Sequence, residues 1–259
     1  ELRATGAPPA LLHIGAAAFR GDAPLYAKLL EAAAAGLPRL VLVEPQARLL
    51  PQLRESAAAL RLPPSRLEVV VAAVGLDCTG GHVKMYGWSE RLQEAFTRYV
   101  PLHGHTSTRA GHPLDAARFA PADQSNPYRE DFRRIANWTN LSAYIEEMDC
   151  DCLTVPELLA NSSTAAEDID VLVVDTEGLD NHIMMRFLAL DAFAPALVIF
   201  ESILNNPIFP ATWGMLQERG YLVGKTTMGD NIVAVDSRLF RWPLLQRLLH
   251  WLALAAPCS

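Results

Sequence analysis

Three carboxylates follow one apolar run in the stretch VVDTEGLDNH, which spans Val173 to His182. Asp175, Glu177 and Asp180 stand where the apolar run stops and a helical pattern begins. Carboxylates in such a position can take a proton from a substrate, bind a cation or metal ion, or stabilise the first turn of a helix. The residues alone leave these three alternatives open.

The elements that would position these carboxylates alternate between short apolar runs and segments with helical periodicity. In the first part of the chain we predict three strands and two helices. The strands cover 11–15, 40–44 and 67–74, and the helices cover 24–35 and 47–60. Strands that alternate with helices are typical of a parallel sheet with right-handed crossovers.

The same alternation resumes after residue 153, where Thr154 is the predicted N-cap of the next helix. In order, the predicted elements are a helix over 155–161, a strand over 169–175, a helix over 179–190, a strand over 196–201 and a helix over 211–219. Apolar runs over 221–227 and 231–236 then flank a Met-Gly-Asp turn. This last pattern predicts an antiparallel hairpin.

A mostly parallel sheet that ends in an antiparallel hairpin, with helices on both faces, indicates the Rossmann-like α/β fold of class I methyltransferases. We therefore predict a seven-stranded sheet in one domain over 1–259. An NAD-dependent oxidoreductase is disfavoured, because the later strands of its fold stay parallel and because this chain lacks G-x-G-x-x-G after its first strand.

A long segment over 77–151 separates the third and fourth strands and shows little periodicity. Insertions of this length in a compact domain usually carry function, so we expect this one to bind the acceptor substrate. A strand over 83–88 and helices over 128–135 and 141–148 are predicted within it. Aromatic and polar side chains suit a pocket for a small ligand. The candidate acceptor contacts are His103, His105 and Tyr128.

Two features early in the chain favour the binding of a nucleoside. The stretch LLHIGAAAFRGD places Gly15 and Ala16 after the first strand, where small residues let the backbone approach a ligand. Glu44 ends the second strand, where an acidic side chain can accept hydrogen bonds from ribose hydroxyls. A tight turn or a solvated carboxylate explains each feature alone, but their spacing together favours nucleoside binding.

Six segments of the chain resemble the FkbM-type family of S-adenosylmethionine-dependent methyltransferases. They are LHIGAAAFRGD, LVLVEP, VAAVG, DCLTVPELL, IDVLVVDTEGLDNHIM and LVIFE. The most specific is the Asp-x-Glu-Gly motif followed by another acid two positions on. His13, Ala17 and Asp180 differ from the residues that the family usually has at these positions.

The resemblance implies S-adenosyl-L-methionine as the cofactor and a set of cofactor-binding residues on three strand ends. They are Gly15 and Ala16 for the methionine part, Glu44 for the ribose, and Ala73 and Val74 for the adenine. It also implies O-methylation of a hydroxyl on a sugar or a related polar metabolite. The alternative that the chain is a non-catalytic binding or interaction module with the same fold stays open.

The acids at the ends of the fourth and fifth strands are the candidates for catalysis and acceptor binding. In a doubly wound sheet, the strand ends that bind ligands lie together, so Asp175, Glu177 and Glu201 would meet there. The resemblance implies that Asp175 also binds the cofactor and faces its reactive methyl group. We expect Asp175 to act as the base, Glu177 to support it, and Glu201 to contact the acceptor. Asp180 is assigned to the helix start alone. No metal site is predicted, because no His pair or further aligned acid completes a ligand set.

The composition restricts the partners. A formal net charge of −7 and a pI near 5.5 disfavour a nucleic-acid surface, so a small-molecule acceptor, glycans included, is expected. The amphipathic tail over 239–257 predicts a C-terminal helix that packs on the body or on a second copy in a homodimer. Membrane association through this tail is disfavoured, because its basic residues are few.

The cysteines and asparagines bear on the compartment. Four cysteines, one Cys-x-Cys pair among them, fit neither zinc spacing nor a disulfide framework, so ordinary reduced thiols are predicted. They are Cys78, Cys150, Cys152 and Cys258. A cytoplasmic location is the default for such a chain. Three N-x-S/T sequons, at Asn137, Asn140 and Asn161, instead favour the secretory pathway, and the chain begins at Glu1 close to its first strand, which is compatible with an upstream segment.

Overall fold

The computed structural model describes residues 10–17, 39–89, 91–92, 107–108, 141–202, 206–225 and 231–239. The chain forms two compact units, the first made of residues 1–77 and 153–259 and the second of residues 78–152. An insertion can be compact without being an independent domain. The assignment of 1–259 to one domain with an insertion over 77–151 therefore stays a prediction.

The described residues form ten strands. They are β1 (Ala10–Ile14), β2 (Arg39–Val43), β3 (Leu67–Val70), β4 (Ala73–Val74), β5 (His82–Trp88), β6 (Ile145–Leu153), β7 (Ile169–Val174), β8 (Leu197–Glu201), β9 (Tyr221–Lys225) and β10 (Asn231–Asp236). The α-helices that lie wholly within the described residues are α1 (Leu50–Ala58), α2 (Val155–Asn161), α3 (Asp180–Leu188) and α4 (Phe209–Glu218). Short 3-10 turns cover Ala47–Leu49, Pro64–Arg66, Thr79–Gly81, Leu141–Tyr144, Ala166–Asp168 and Ser237–Leu239.

Seven strands of the first unit form one sheet in the order β3-β2-β1-β7-β8-β10-β9. The neighbours from β3 to β8 pair in parallel, whereas β10 pairs antiparallel with both β8 and β9. The predicted fold class, a mostly parallel seven-stranded sheet that ends in an antiparallel hairpin, is confirmed. The order also brings β1 and β7 together at the centre of the sheet, although about 150 residues of chain separate them.

Both faces of the sheet are buried, as expected of parallel strands. On one face, Leu12 and Ile14 of β1 belong to a core cluster that includes residues of α2, α3 and α4. On the other face, Leu11 packs in a second cluster with Leu53 and Ala57 of α1. Because side chains alternate along β1, this strand contributes residues to two separate cores, one on each face of the sheet. The strand is thereby packed between two layers of helices.

The elements of the first unit begin and end close to the predicted positions. Helix α2 starts directly after Thr154, whose backbone N–H and hydroxyl both donate to Glu157 Oε2, at 2.8 and 2.7 Å. The predicted strand over 67–74 is instead two strands, β3 and β4, because the pairing with β2 ends at Val70. The chain then leaves the sheet, and Gly75 donates to the carbonyl of Leu153 at 3.0 Å.

The prediction of a helix over 141–148 is wrong. A 3-10 turn over Leu141–Tyr144 leads into β6, which pairs antiparallel with β5 along its length. Towards the end of β6 the exposed Asp149 and Asp151 alternate with the buried Cys150 and Cys152. Cross-strand pairing with a segment some 60 residues earlier decides this element, and the local sequence does not contain that information.

The prediction of reduced thiols is also wrong for two of the cysteines. Cys78 and Cys152 form a disulfide across 74 residues, with their Cα atoms 5.3 Å apart. The β5–β6 register, which sets His82 opposite Asp151, brings the two ends of the second unit together. The antiparallel pair thus supplies the proximity that a disulfide needs. Cys150 is buried and is not part of a disulfide, and Cys258 lies outside the described residues.

Some predicted elements lie outside the described residues. These are the helices over 24–35 and 128–135 and nearly all of the tail over 239–257. In the part of the chain that is described, no helix is both long enough and apolar enough to cross a membrane.

Removal of the disulfide should destabilise the second unit. In the chain-entropy model, a crosslink that closes a loop of this length contributes about 4 kcal/mol. We expect Cys78→Ser to lower the free energy of unfolding by up to that amount, measured by denaturant titration. Cys150→Ala is the matched control.

Reductant should lower the stability of the wild type and of Cys150→Ala, but not that of Cys78→Ser, which has no bond to lose. A Cys78→Ser protein that still loses stability on reduction would contradict the assigned pairing.

Candidate functional site

Five parallel strands end in register at one end of the sheet. Ile14 of β1 pairs with Val43 of β2 and with Val174 of β7, and the register continues to β3 and β8. The residues at or just after these strand ends are therefore neighbours across the sheet. They are Gly15, Glu44, Asp175 and Glu201, and we call this the carboxyl end of the sheet. The sequence prediction brought the same four residues together.

Gly15 packs so tightly against the backbone of Asp175 that no side chain fits between them. A Cβ on Gly15 would lie 1.7 Å from the carbonyl oxygen of Asp175, and Gly15 has φ +83°. The N–H groups of Gly15 and Ala16 donate to the carbonyl of Val43, at 2.9 and 3.0 Å. Both the close approach and the left-handed backbone require glycine here. The turn after β1 is thereby fixed between the ends of β2 and β7.

Glu44 connects the turn after β1 to the turn after β2. Its side chain is only 3% exposed. Oε2 accepts from the N–H of Ala17 at 2.8 Å, and Oε1 accepts from the N–H of Gln46 at 2.9 Å. Burial raises the pKa of Glu44, while the hydrogen bonds from Gln46 and Ala17 oppose that rise. Both carboxylate oxygens already hold the backbone, and the predicted contact with ribose stays a prediction.

Asp180 holds the turn that carries Glu177. Its Oδ1 accepts from the N–H of Thr176 at 2.8 Å, and its Oδ2 accepts from the N–H of Gly178 at 3.0 Å. Glu177 and Gly178 have φ of +55° and +120°, and left-handed backbone is unfavourable for a glutamate. Two backbone hydrogen bonds to one buried carboxylate stabilise this conformation. Asp180 therefore stabilises the turn before α3, in addition to the helix-start role that the sequence suggested.

The environment of Asp180 changes its proton affinity. Burial raises its pKa to about 6, against hydrogen bonds from Thr176 and Gly178 that lower it, and the charge of Glu177 adds to the rise. Asp175, in contrast, is exposed, and Glu177 is half-buried. The three acids of one motif thus divide into one that is buried and holds the backbone and two that are accessible to solvent.

Asn181 is a further residue that sequence reasoning missed. Its side-chain nitrogen donates to the hydroxyl of Ser202 at 3.0 Å, and both residues are buried. Ser202 follows Glu201, so this bond ties the start of α3 to the end of β8. The sequence signal was weak: a polar pair separated by 21 positions has no local pattern.

Of the remaining predicted site residues, two are buried, one lies at the carboxyl end of the sheet, and three lie outside the described residues. Ala73 and Val74 are buried in β4, 7% and 5% exposed, and their contact with adenine stays a prediction. Glu201 is half-buried at the end of β8. His103, His105 and Tyr128 lie outside the described residues. Among the residues that are described, no three His, Cys, Asp or Glu side chains cluster as metal ligands would.

Comparisons with known proteins bear on what this site does. The family model described as the methyltransferase FkbM domain matches residues 13–223. The chain is also similar to precorrin-6y C5,15-methyltransferase from Geobacter metallireducens GS-15, at 10% identity and a TM-score of 0.38 over 89% of this chain and 81% of that chain. A structural likeness so distant supports no conclusion. None of the curated proteins matches the chain.

Gly15→Ala should disrupt the centre of the site. The added Cβ would meet the carbonyl oxygen of Asp175 at 1.7 Å, so the backbone must move. We expect a loss of at least about 2 kcal/mol in the free energy of unfolding, measured by urea titration. Gly214→Ala in α4 is the matched control, because its Cβ would meet nothing within 4 Å. It should be neutral or stabilising by up to about 1 kcal/mol. Equal effects of the two substitutions would contradict the close contact.

Asp180→Asn should change how stability depends on pH. The pKa of Asp180 is raised from 3.8 to about 6, so the folded state binds the proton more tightly than the unfolded state. The stability contributed in this way is fully present below about pH 4 and is lost as the pH rises to about 6 and above.

The quantity to measure is the free energy of unfolding of the wild type minus that of Asp180→Asn, by urea titration from pH 4 to 8. It should fall by about 2 kcal/mol across the window, since one pKa unit corresponds to about 1.4 kcal/mol and the unfolded carboxyl is already partly ionised at pH 4. A difference that rises with pH would show that the ionised carboxylate is the favoured form in the folded protein.

Proposed function

This chain belongs to the FkbM methyltransferase family, and we propose that it transfers a methyl group from S-adenosylmethionine to a hydroxyl oxygen of a sugar or a related polar metabolite. The observation that carries the proposal is the set of residues at the carboxyl end of the sheet. There a turn without side-chain bulk at Gly15 touches the backbone of Asp175, whose carboxylate is exposed. Ligands of doubly wound sheets bind at this end.

The residues at the carboxyl end of the sheet fit such a donor. Gly15 lets the turn after β1 lie directly against the end of β7, and Ala16 adds only a methyl group. Asp175 offers an exposed negative charge to a cationic ligand, which favours the charged donor over its neutral product. Glu44 holds the turn after β1 in place, since its Oε2 accepts from Ala17. In the proposal, Glu44 contributes to donor binding mainly by fixing this turn.

S-adenosylmethionine supplies a methyl group that its positively charged sulfur has already activated. The protein then has two tasks, to position the acceptor oxygen and to remove its proton. Asp175 is the candidate base, because its carboxylate is exposed while Asp180 is engaged with the backbone. Glu177, held half-buried in the turn beside it, supports Asp175 by hydrogen bonding to the acceptor.

A polyhydroxylated acceptor suits the spacing of the acids. Val174 and Phe200 pair on the adjacent parallel strands β7 and β8, so the following residues, Asp175 and Glu201, start about 5 Å apart. Two acids whose backbones start this close can both accept hydrogen bonds from hydroxyls of one sugar ring. His103, His105 and Tyr128 are proposed as further acceptor contacts on the sequence alone.

Calorimetric titration with S-adenosylmethionine, S-adenosylhomocysteine and NAD tests the proposal. We expect micromolar binding of the first two and none of NAD. Absence of binding by all three would overturn the enzyme assignment and favour a non-catalytic module with the same fold. Binding of NAD alone would favour an oxidoreductase.

Glu44→Ala should abolish S-adenosylhomocysteine binding and also destabilise the fold. The substitution leaves the N–H groups of Ala17 and Gln46 without their acceptor, and an unmade buried hydrogen bond costs about 1–3 kcal/mol. Glu44→Gln is the control, because its amide oxygen keeps one of the two bonds and should give an intermediate result in both calorimetry and urea titration. Unchanged binding in a folded Glu44→Ala protein would remove Glu44 from the site.

Asp175→Asn should preserve donor binding and reduce turnover. Loss of a general base lowers the rate by about 10²- to 10⁴-fold, measured as transfer of labelled methyl to a panel of monosaccharides and glycosides. The exposed Asp191, which lies beyond α3, provides the control variant Asp191→Asn, with no expected effect. If Asp175→Asn matches the wild-type rate on a confirmed acceptor, Asp175 is not the base.

A further inference from the structure

We propose that Asn161 is an N-glycosylation site and that the protein matures in an oxidising, glycosylating compartment. Two independent observations point to this. Asn161 begins the sequon Asn-Ser-Ser and is exposed at the end of α2. The second unit contains the Cys78–Cys152 disulfide, and disulfides of this kind persist in secretory compartments but rarely in the cytosol.

The side chains of the two residues that a sequon requires are exposed in this fold. Glycosylation reads the asparagine and the hydroxyl two positions later, and Asn161 and Ser163 are both exposed. The middle residue, Ser162, is the one that the fold uses. It is fully buried, and its hydroxyl donates to the carbonyl of Leu158 at 2.9 Å. A glycan on Asn161 therefore displaces no packed side chain and breaks none of these hydrogen bonds.

A glycan on Asn161 would also lie away from the carboxyl end of the sheet. Arg39, the first residue of β2, donates to the carbonyl of Ser163 at 3.1 Å. In the sheet register, Arg39 and Ile169 both pair with Ala10, so the turn after α2 lies where the parallel strands begin. A five-residue strand spans roughly 16 Å. A glycan there would be attached at the end of the sheet opposite to Glu44 and Asp175.

The modification needs one co-reactant, an oligosaccharide linked to a lipid diphosphate. The side-chain nitrogen of Asn161 forms a bond to the anomeric carbon of this oligosaccharide. The bond between that carbon and the diphosphate oxygen breaks, the lipid diphosphate leaves with the bonding electrons, and the amide nitrogen gives up one proton.

The test directs the full chain into the endoplasmic reticulum lumen of cultured eukaryotic cells with a cleavable leader. Peptide mass spectrometry after enzymatic deglycosylation in heavy-oxygen water reports occupancy at each sequon separately. We expect most molecules to carry a glycan at Asn161 and to contain the Cys78–Cys152 disulfide. Asn161→Gln and Ser163→Ala should each abolish occupancy at this position.

Ser162→Ala is the matched control, because it lies inside the sequon but leaves both required groups intact. It should retain the glycan and lose thermal stability, since a buried hydroxyl is removed. An unoccupied Asn161 in the wild type, or loss of the glycan in Ser162→Ala alone, would overturn the proposal. So would a glycosylated, oxidised protein that unfolds at a lower temperature than the reduced protein made in the cytosol.

Discussion

The contact between the turn after β1 and the end of β7 is the constraint on which the rest of the site depends. Gly15 lies so close to the carbonyl of Asp175 that a single methyl group would force the two strand ends apart. This contact is at the centre of the sheet, between the halves that lie on either side of the insertion in sequence. The turn after β1 and the Asp-x-Glu-Gly motif are therefore one structural feature, although about 160 residues separate them.

Buried carboxylates stabilise this arrangement, whereas two further acids of the motif stay in contact with solvent. Glu44 and Asp180 are removed from water and each accepts two backbone N–H groups, which compensates much of the desolvation. Their raised pKa values show that the compensation is incomplete. Asp175 and Glu177 retain access to solvent. Burial thus separates the carboxylates that hold the backbone from those that keep contact with solvent.

The sequence predicted the fold well where local signals and burial agree. The parallel strands are apolar runs buried on both faces, so their pattern is independent of what pairs with them, as in Leu172 and Val174 of β7. The prediction failed where pairing is decided at long range. In the 141–148 segment, two adjacent glutamates interrupt the apolar residues and leave no clear period, and it is the long-range pairing with β5 that makes Ile145–Leu153 a strand. The same long-range pair brings Cys78 to Cys152, which spacing along the chain could not reveal.

The sequence by itself determined the order of the elements, the family motif and the set of acids that gather at the carboxyl end of the sheet. These follow from periodicity and from the rule that parallel strands end together. Only the tertiary structure decided which of those acids are buried and which backbone groups they hold. Glu44 was expected at the ribose and Asp180 at a helix start, and each carboxylate also accepts a hydrogen bond from the backbone of a neighbouring turn. Burial and hydrogen-bond partners come from packing between distant segments, and that is why composition and spacing could not separate the buried acids from the exposed ones.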